Sequence, residues 1–373
     1  MNIAIDLLWL RPGKVGGTES YTRNLLDGFL KLNDDYEFTL IVAKNTTDTF
    51  GKYEEDKRFH ILEVDIDNSN IGKRILWQFA HESRFLRKHR IKHCFVPVYC
   101  RPIFNGGVKY INVIHDIQAY HYPQYHPAYE VWYSKLMWWC DKNFSKGTIC
   151  ISEFVKNDLI KVYHFNPDNM QVIYDPVEVD ANDIIDFNLV KAKYDVDEYD
   201  YYYTVSQLIP HKNLNTLIDA MKLMHDDGNK CKLLISGVNG NARERLEKQL
   251  KELELEADVI LTGFVDDNVR NTLYKYCKLF LYSSIFEGFG IPPIEAMMFG
   301  APVLTTKCAS IYEVTQGKAY YVENPLDAKE WMEKILNYAN KDRIHIEFKE
   351  YEADILAIQL KDYINKAFTI DDK

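Results

Sequence analysis

Residues 279–304 have the sequence LFLYSSIFEGFGIPPIEAMMFGAPVL. The apolar run Leu279–Tyr282 predicts a buried strand, and residues 301–304 predict a second one. Between them, Pro292 and Pro293 suit the first turn of a helix, where a missing backbone N–H costs nothing. Strand, glycine-rich turn, helix and strand together predict a βαβ unit.

The turn of this unit has the features of an anion site. Gly288 and Gly290 have no Cβ, so a ligand can lie close to the backbone. The N–H groups at a helix start favour a phosphate. Glu287 enters the turn and Glu295 leaves it on the helix, and carboxylates accept hydrogen bonds from adjacent sugar hydroxyls. The pattern therefore predicts a nucleotide-sugar site.

Four further elements precede this βαβ unit in the chain, namely Gly16-Gly17, His115-Asp116, Lys212-Asn213 and residues 263–265. On these five elements the chain resembles the retaining GT-B glycosyltransferases of the family 4 type, the glycosyl transferases group 1. The match extends over some three hundred residues, so it does not depend on a lone Gly-x-Gly motif.

Strand-like and helix-like segments alternate twice along the chain, which predicts two α/β domains with parallel sheets. An acidic stretch at residues 177–200 is interpreted as the linker, and residues 352–368 as a terminal helix. The resemblance implies a GT-B fold, in which two doubly wound, Rossmann-like domains face each other across a cleft. We expect an acceptor-binding domain at 1–180, a nucleotide-sugar domain at 200–350, and a C-terminal helix at 351–373 that packs back on the first domain.

Composition excludes several classes of protein. Among 373 residues, Lys and Arg number 45 and Asp and Glu 55, a net charge of −10 that disfavours a nucleic-acid surface. Seven cysteines without a CxxC pair predict reduced thiols rather than disulfides or a zinc cluster. The N-terminus has no basic segment before its apolar run, and no run is long enough to span a bilayer. We expect a cytoplasmic protein, either free or peripheral at the inner face of the plasma membrane.

The resemblance implies which residues bind the donor. Lys212 is expected to face the diphosphate, where a cation stabilises the charge that develops on the leaving group. Glu287 is expected to bind the transferred sugar and Glu295 the ribose. His211 stands where the family usually has Arg. The full donor set is Gly16, Gly17, His211, Lys212, Glu287, Gly288, Phe289, Gly290, Ile291 and Glu295, and the catalytic set is Glu287, His115 and Lys212.

Acceptor contacts are expected at Asp116, Tyr120 and His121, because His115-Asp116 follows a strand and aromatic rings stack on sugars. His115 could equally be a structural hydrogen-bonding residue. Residues 73–93 combine basic and aromatic side chains, which suits either an anionic membrane surface or a solvated helix. The histidines have no metal-ligand spacing, so neither a metal nor a cofactor besides the donor is expected.

The resulting hypothesis is a retaining, metal-independent glycosyltransferase. It would transfer a hexose or deoxyhexose of the mannose, glucose or rhamnose type to a glycan or lipid-linked glycan in cell-surface polysaccharide biosynthesis, such as lipopolysaccharide or capsule. Two alternatives are a nucleotide-sugar epimerase of the same fold and a non-catalytic subunit that binds sugar nucleotide. An epimerase would convert the donor without an acceptor, and a non-catalytic subunit would have no need of Glu287, Glu295 and Lys212.

Overall fold

The computed structural model describes residues 2–33, 35–238 and 240–369, and they form two compact units. The first unit comprises the chain up to residue 176 together with residues from 349 onward, and the second comprises residues 177–348. Each unit contains its own parallel sheet, with helices in the connections between successive strands. The prediction of an α/β fold with two doubly wound domains is confirmed.

The first unit has a seven-stranded parallel sheet in the order β3-β2-β1-β4-β5-β6-β7. Its apolar strands are buried on both faces, as expected for a parallel sheet between helices. A π-helical turn, Gln78–Glu82, joins α2 to α3. The elements are β1 Asn2–Asp6, α1 Gly17–Lys31, β2 Glu37–Ala43, β3 Phe59–Val64, α2 Ile71–Trp77, α3 Ser83–Lys88, β4 His93–Val96, β5 Lys109–Ile114, α4 Gln118–His121, α5 Ala128–Phe144, β6 Gly147–Cys150, α6 Glu153–Tyr163 and β7 Met170–Val172.

The second unit has a six-stranded parallel sheet in the order β10-β9-β8-β11-β12-β13. The central strand β11 pairs with β8 on one side and β12 on the other, so the glycine-rich turn leaves the middle of the sheet. The elements are α7 Phe187–Tyr194, β8 Tyr201–Val205, α8 Leu214–Asp226, β9 Lys232–Ser236, α9 Arg243–Glu252, β10 Val259–Gly263, α10 Asp267–Tyr276, β11 Leu279–Tyr282, α11 Ile291–Met298, β12 Val303–Thr306, α12 Ile311–Val314, β13 Tyr320–Val322 and α13 Ala328–Tyr338.

The chain ends in α14 Ala353–Thr369, which packs on α1 in the first unit as predicted. The two helices approach closely at Gly28, where an added Cβ would lie 2.3 Å from the carbonyl oxygen of Ala353. Tyr363 donates a hydrogen bond to the carbonyl of Asn169 at 2.7 Å, and its hydroxyl occupies the space beside Gly147. These contacts explain why residues after 348 belong to the first unit.

The acidic stretch at 177–200 is part of the second unit, not a bare linker. Phe187, Val190 and Tyr194 form one buried stripe of α7, because residues spaced by three or four lie on the same side of a helix. The Phe187 ring lies 5.0 Å from that of Tyr276 on α10. The acidic residues that suggested a linker cap and flank this helix, with Asp186 accepting from the N–H of Asn188.

The orientation of two side chains could not be read from the sequence pattern. Arg74, counted among the surface cations, is buried and donates to Gln78 Oε1 at 2.9 Å. Of the adjacent pair on α5, Trp138 is buried and Trp139 is exposed, because neighbouring helix residues point about 100° apart. Within the described residues, no helix combines the length and apolarity required to cross a bilayer.

Candidate active site

A buried serine holds the turn between β11 and α11. Ser310 Oγ lies 2.7 Å from the carbonyl oxygen of Phe289 and 3.0 Å from that of Glu287. Gly290 immediately precedes the helix with a φ of 103°, a conformation that strains any residue with a Cβ. The backbone of the turn is therefore held in one shape by residues on both sides of it.

The start of α11 offers a small set of donors. Pro292 and Pro293 occupy its first turn, as the sequence predicted. Neither has an N–H group, so the donors at this end of the helix are those of Gly290 and Ile291. Those groups, with the positive end of the helix, form the part of the turn that suits an anionic oxygen.

The Glu287 carboxylate is held by two donors. Lys212 Nζ lies 2.6 Å from Glu287 Oε1, and the Tyr282 hydroxyl donates to the same oxygen at 2.5 Å. The Lys212 and Glu287 side chains are only 14% and 13% exposed. A buried ion pair requires such close geometry, because each charge has lost most of its hydration.

Charge states at this pair follow from its surroundings. Burial acts to raise the pKa of Glu287, but interactions with Lys212 and His211 outweigh it, and the pKa lies below its ordinary value of 4.5. Burial and the neighbouring carboxylate raise the pKa of Tyr282 well above 10. Near neutral pH, Glu287 is therefore an anion, and Tyr282 is a neutral hydrogen-bond donor.

Backbone contacts fix Lys212 relative to β11. Lys212 lies in a 3₁₀ turn, Pro210–Lys212, and its carbonyl accepts a hydrogen bond from Ser283 Oγ at 2.7 Å. The adjacent carbonyl of His211 accepts from the N–H of Ile285 at 2.9 Å. The loop after β8 and the loop after β11 thus hold each other, which aligns the ammonium with the carboxylate.

Asn213 occupies the N-cap position of α8, but its side chain does not cap the helix. Its backbone is left-handed, with a φ of 55°, and its side chain makes no capping bond to the helix. Instead, Asn213 Nδ2 donates to the carbonyl of Pro325 at 2.7 Å, and Oδ1 accepts from the Thr216 hydroxyl. Asparagine tolerates this conformation better than most residues.

Glu295 lies on α11 with its own partners. Tyr274 donates to Glu295 Oε2 at 2.9 Å, and Arg270 Nη2 lies 3.5 Å from Oε1. Glu287 and Glu295 therefore belong to two separate hydrogen-bonded groups within the second unit. Arg270, Tyr274 and Tyr282 were not predicted, because nothing in their local sequence distinguishes them from core or surface residues.

His115 follows β5 in the first unit. Its Nε2 lies 2.8 Å from the carbonyl oxygen of Pro97, so Nε2 carries the proton and Nδ1 is the acceptor nitrogen. The Tyr21 ring stands at right angles to the His115 ring, with ring centroids 4.9 Å apart. Burial lowers the pKa of His115 to about 4, so the ring is neutral near neutral pH.

The residues predicted to bind the acceptor also lie in the first unit. Asp116 Oδ1 accepts from the N–H of Gln118 at 2.8 Å, which fixes the start of α4. Tyr120 is exposed on α4, whereas His121 Nε2 lies 2.7 Å from Asp158 Oδ2 on α6. The His121 ring is thus engaged by α6, whereas Tyr120 faces solvent.

Gly16 and Gly17 begin α1. Gly16 has a φ of 64°, which favours glycine, and Gly17 is the first helical residue. A Cβ at Gly17 would meet no atom within 4 Å, so the backbone is open there. This geometry supports a tight turn and leaves room for a ligand beside it.

Two family models match consecutive halves of the chain. Residues 15–181 match the glycosyltransferase family 4 model, and residues 187–353 match the glycosyl transferases group 1 model. The chain belongs to the group 1, family 4 glycosyltransferases. The boundary between the two matches falls near the boundary between the two units.

Named relatives of this family 4 chain include two bacterial mannosyltransferases. The O-antigen chain mannosyltransferase RfbU of Salmonella typhimurium is 31% identical over 240 residues, 64% of each chain. The O-antigen chain mannosyltransferase B of Escherichia coli is 26% identical over 222 residues, 58% of each chain. The matched region is thus less than two thirds of either relative.

A solved structure shares the fold over the whole chain. Anabaena HepE, crystallised with UDP and glucose, superimposes with a TM-score of 0.68 at 16% sequence identity and covers 100% of this chain and 98% of its own. At this level of identity the likeness shows the GT-B fold alone.

Replacing Lys212 by Met should leave the Glu287 carboxylate buried without its cation. We expect a loss of about 3 kcal/mol in the free energy of unfolding of the second unit at neutral pH. The matched control is Lys222→Met, which breaks the more exposed pair with Asp226 and should cost at most about 0.5 kcal/mol. Urea unfolding measures the free energy of unfolding of both variants.

The effect of Lys212→Met should also depend on pH. A carboxyl group whose folded pKa is lowered stabilises the protein above its unfolded pKa of 4.5, and this contribution is lost as the pH falls through the folded pKa. The cost of the variant should therefore shrink in acid. Equal costs for the two lysine variants, or a cost independent of pH, would contradict the assigned ion pair.

Proposed function

We propose that this protein is a glycosyltransferase that moves a hexose from a nucleoside-diphosphate sugar to a glycan acceptor during synthesis of a cell-surface polysaccharide. The observation that carries the proposal is the Glu287 carboxylate, held by Lys212 and Tyr282 beside a glycine-rich helix start. Family membership and the two O-antigen mannosyltransferase relatives support it. Those relatives favour mannose as the transferred sugar.

The arrangement of the second unit suggests how a donor would bind. The N–H groups of Gly290 and Ile291 suit the diphosphate. Glu287, with one oxygen already engaged by two donors, can accept hydroxyl hydrogens of the hexose through its remaining lone pairs. Glu295, eight residues along the chain, is assigned the ribose hydroxyls.

Lys212 is assigned to the developing charge of the leaving group. In the transfer step the bond between the anomeric carbon and the diphosphate oxygen breaks, and the anomeric carbon bonds to the acceptor hydroxyl oxygen. The hydroxyl proton passes to the departing diphosphate, so no separate carboxylate base is required. A fixed ammonium and backbone N–H groups aimed at that diphosphate lower the barrier by a few kcal/mol. We propose that these groups, rather than a metal ion, stabilise the negative charge of the leaving diphosphate.

The charge state of Glu287 favours a binding role over acid catalysis. A general acid at neutral pH needs a raised pKa, whereas the pKa of Glu287 is lowered. Its ion pair with Lys212 also makes the carboxylate a weaker nucleophile. We therefore propose transfer with retention by reaction on one face of the sugar, as the family resemblance implies, with Glu287 orienting the hexose.

His115 is proposed to contact a substrate hydroxyl. The proton on Nε2 is directed to Pro97, so the Nδ1 lone pair can accept from a hydroxyl group. With its pKa lowered to about 4, the ring does not become charged at neutral pH. It can therefore orient an acceptor alcohol without repelling a cation or attracting a phosphate.

A surface of the first unit suits contact with a membrane. We call Phe104, Trp132, Trp139 and Phe144 the aromatic face; their side chains are 80%, 66%, 51% and 41% exposed. Trp139 and Phe144 pack edge to face at 5.4 Å, and Asn105 Nδ2 bonds to the carbonyl of Phe144, which joins the Phe104 loop to the end of α5.

Exposed cations lie on the two helices at the aromatic face, α3 and α5. Ser83 at the start of α3 donates to the carbonyl of Phe104 at 2.8 Å, so this cationic helix lies beside the loop. Aromatic rings favour the bilayer interface, and cations favour anionic headgroups. We propose that this face holds the protein against the inner face of the plasma membrane, near a lipid-linked acceptor. The exposed cations on α3 and α5 are Arg84, Arg87, Lys88, Lys135 and Lys142.

Glu287→Gln should lower turnover by at least about 100-fold, because the sugar loses a charged hydrogen-bond acceptor that orients it in the transition state. Affinity for UDP and GDP, measured by calorimetry, should change by less than about threefold, since the diphosphate contacts remain. Glu333→Gln, an exposed carboxylate on α13, is the control and should keep both properties. Normal turnover in Glu287→Gln would contradict the assignment of Glu287 to the active site.

Vesicle sedimentation tests the aromatic face. The intact protein should bind phosphatidylcholine vesicles containing phosphatidylglycerol, and the double variant Trp132→Ser, Trp139→Ser should bind about tenfold more weakly, because two indoles no longer enter the interface. Phe264→Ser, which removes a similarly exposed ring from the second unit, should bind normally. Equal binding by all three proteins, or loss only in Phe264→Ser, would contradict the assignment.

A further inference from the structure

A cavity of ≈ 220 Å³ lies within the first unit, at the residues that follow His115. Its wall is formed by the loop after β4, by α4 and by α5. Tyr99, Asp116, Gln118, Glu130, Tyr133 and Trp138 contribute to it. The volume is below the roughly 300–1,000 Å³ of clefts for drug-sized molecules, so it suits one small ring.

The polar groups of the cavity are held in place by one another. His126 connects α4 to α5, with Nε2 3.2 Å from Gln118 Oε1 and Nδ1 3.7 Å from Glu130 Oε2. Asp116 is oriented by the N–H of Gln118. Carboxylates positioned in this way can accept hydrogen bonds from neighbouring hydroxyls without large rearrangement.

Aromatic side chains supply the apolar part of the wall. Tyr99 and Trp138 lie with ring centroids 5.8 Å apart, and Tyr133 also lines the space. Trp138 is buried, and its indole N–H has no acceptor among the described residues. That N–H is itself shielded from solvent, so Trp138 contributes apolar ring surface to the wall.

The charge of the residues lining the cavity favours a neutral ligand over an anionic one. The residues lining the cavity include two carboxylates, Asp116 and Glu130, and neither Lys nor Arg. Arg74, whose charge interacts with Tyr133, already donates hydrogen bonds to Gln78 Oε1 and Cys100 Sγ. A phosphate placed here would be repelled, whereas the hydroxyls of a neutral sugar would find acceptors and an aromatic surface.

We propose that this cavity binds the terminal, uncharged sugar residue of the glycan acceptor. The inference rests on the proposed transferase function and deepens it, because it assigns recognition of the acceptor to a neutral saccharide and not to a lipid phosphate. Any phosphate of a lipid-linked acceptor then lies outside this cavity.

Saturation-transfer NMR on the full chain tests the inference with methyl glycosides of mannose, glucose and galactose as probes. At least one should bind, and Glu130→Gln and Asp116→Asn should each weaken its binding about tenfold through loss of a charged acceptor. Glu54→Gln, an exposed carboxylate of the same unit, should bind as the intact protein does. The corresponding hexose 6-phosphates should bind at least about tenfold more weakly than the methyl glycosides.

Measurements of nucleotide binding distinguish a failure of this inference from a failure of the proposed function. Binding of UDP and GDP should be unchanged in Glu130→Gln and Asp116→Asn, and Glu287→Gln should retain glycoside binding. The inference is overturned if no methyl glycoside binds, if binding survives both cavity variants, if Glu287→Gln abolishes it, or if hexose 6-phosphates bind as well. Loss of nucleotide binding in the intact protein would instead count against the transferase proposal.

Discussion

The contact between the Glu287 carboxylate and the Lys212 ammonium is the interaction on which the candidate donor site depends. Both groups are largely buried, so each is stable as an ion only while the other is present. Tyr282, whose pKa is raised well above 10, adds a neutral donor to the same oxygen. The pair also joins two loops that leave neighbouring strands, β8 and β11, at the carboxyl edge of the sheet, where ligands of such sheets bind.

The rest of the second unit supports that contact. Ser310 holds the turn carbonyls, and Ser283 holds the carbonyl of Lys212, so the two charged side chains start from a backbone that cannot shift independently. Gly290 allows the abrupt entry into α11, and the two prolines after it leave few competing donors at the helix start. One short segment therefore contains both a helix N-terminus suited to an anion and a carboxylate suited to hydroxyl groups. Such fixed polar groups are what electrostatic catalysis requires, since they need not reorganise during the reaction.

The sequence predicted the parts of this arrangement that depend on local patterns. The strand Leu279–Tyr282 and the proline-started helix follow from apolar periodicity and turn residues, whereas the return of α14 to the first unit was implied by the family resemblance. Partners such as Tyr282, Tyr274 and Arg270 were missed because their roles arise from tertiary proximity. The helix in the acidic stretch was missed because its apolar stripe has only three residues, Phe187, Val190 and Tyr194. Similarly, composition alone could not show which cation or tryptophan of an amphipathic segment faces inward.

The most direct test of the account is a crystal structure of the protein with an intact nucleoside-diphosphate hexose bound. Hexose hydroxyl oxygens should lie within about 3.2 Å of Glu287, diphosphate oxygens at the N–H groups of Gly290 and Ile291 and near Lys212, and ribose hydroxyls at Glu295. A ligand lodged away from these groups, or one bound there with its hexose turned away from Glu287, would contradict it.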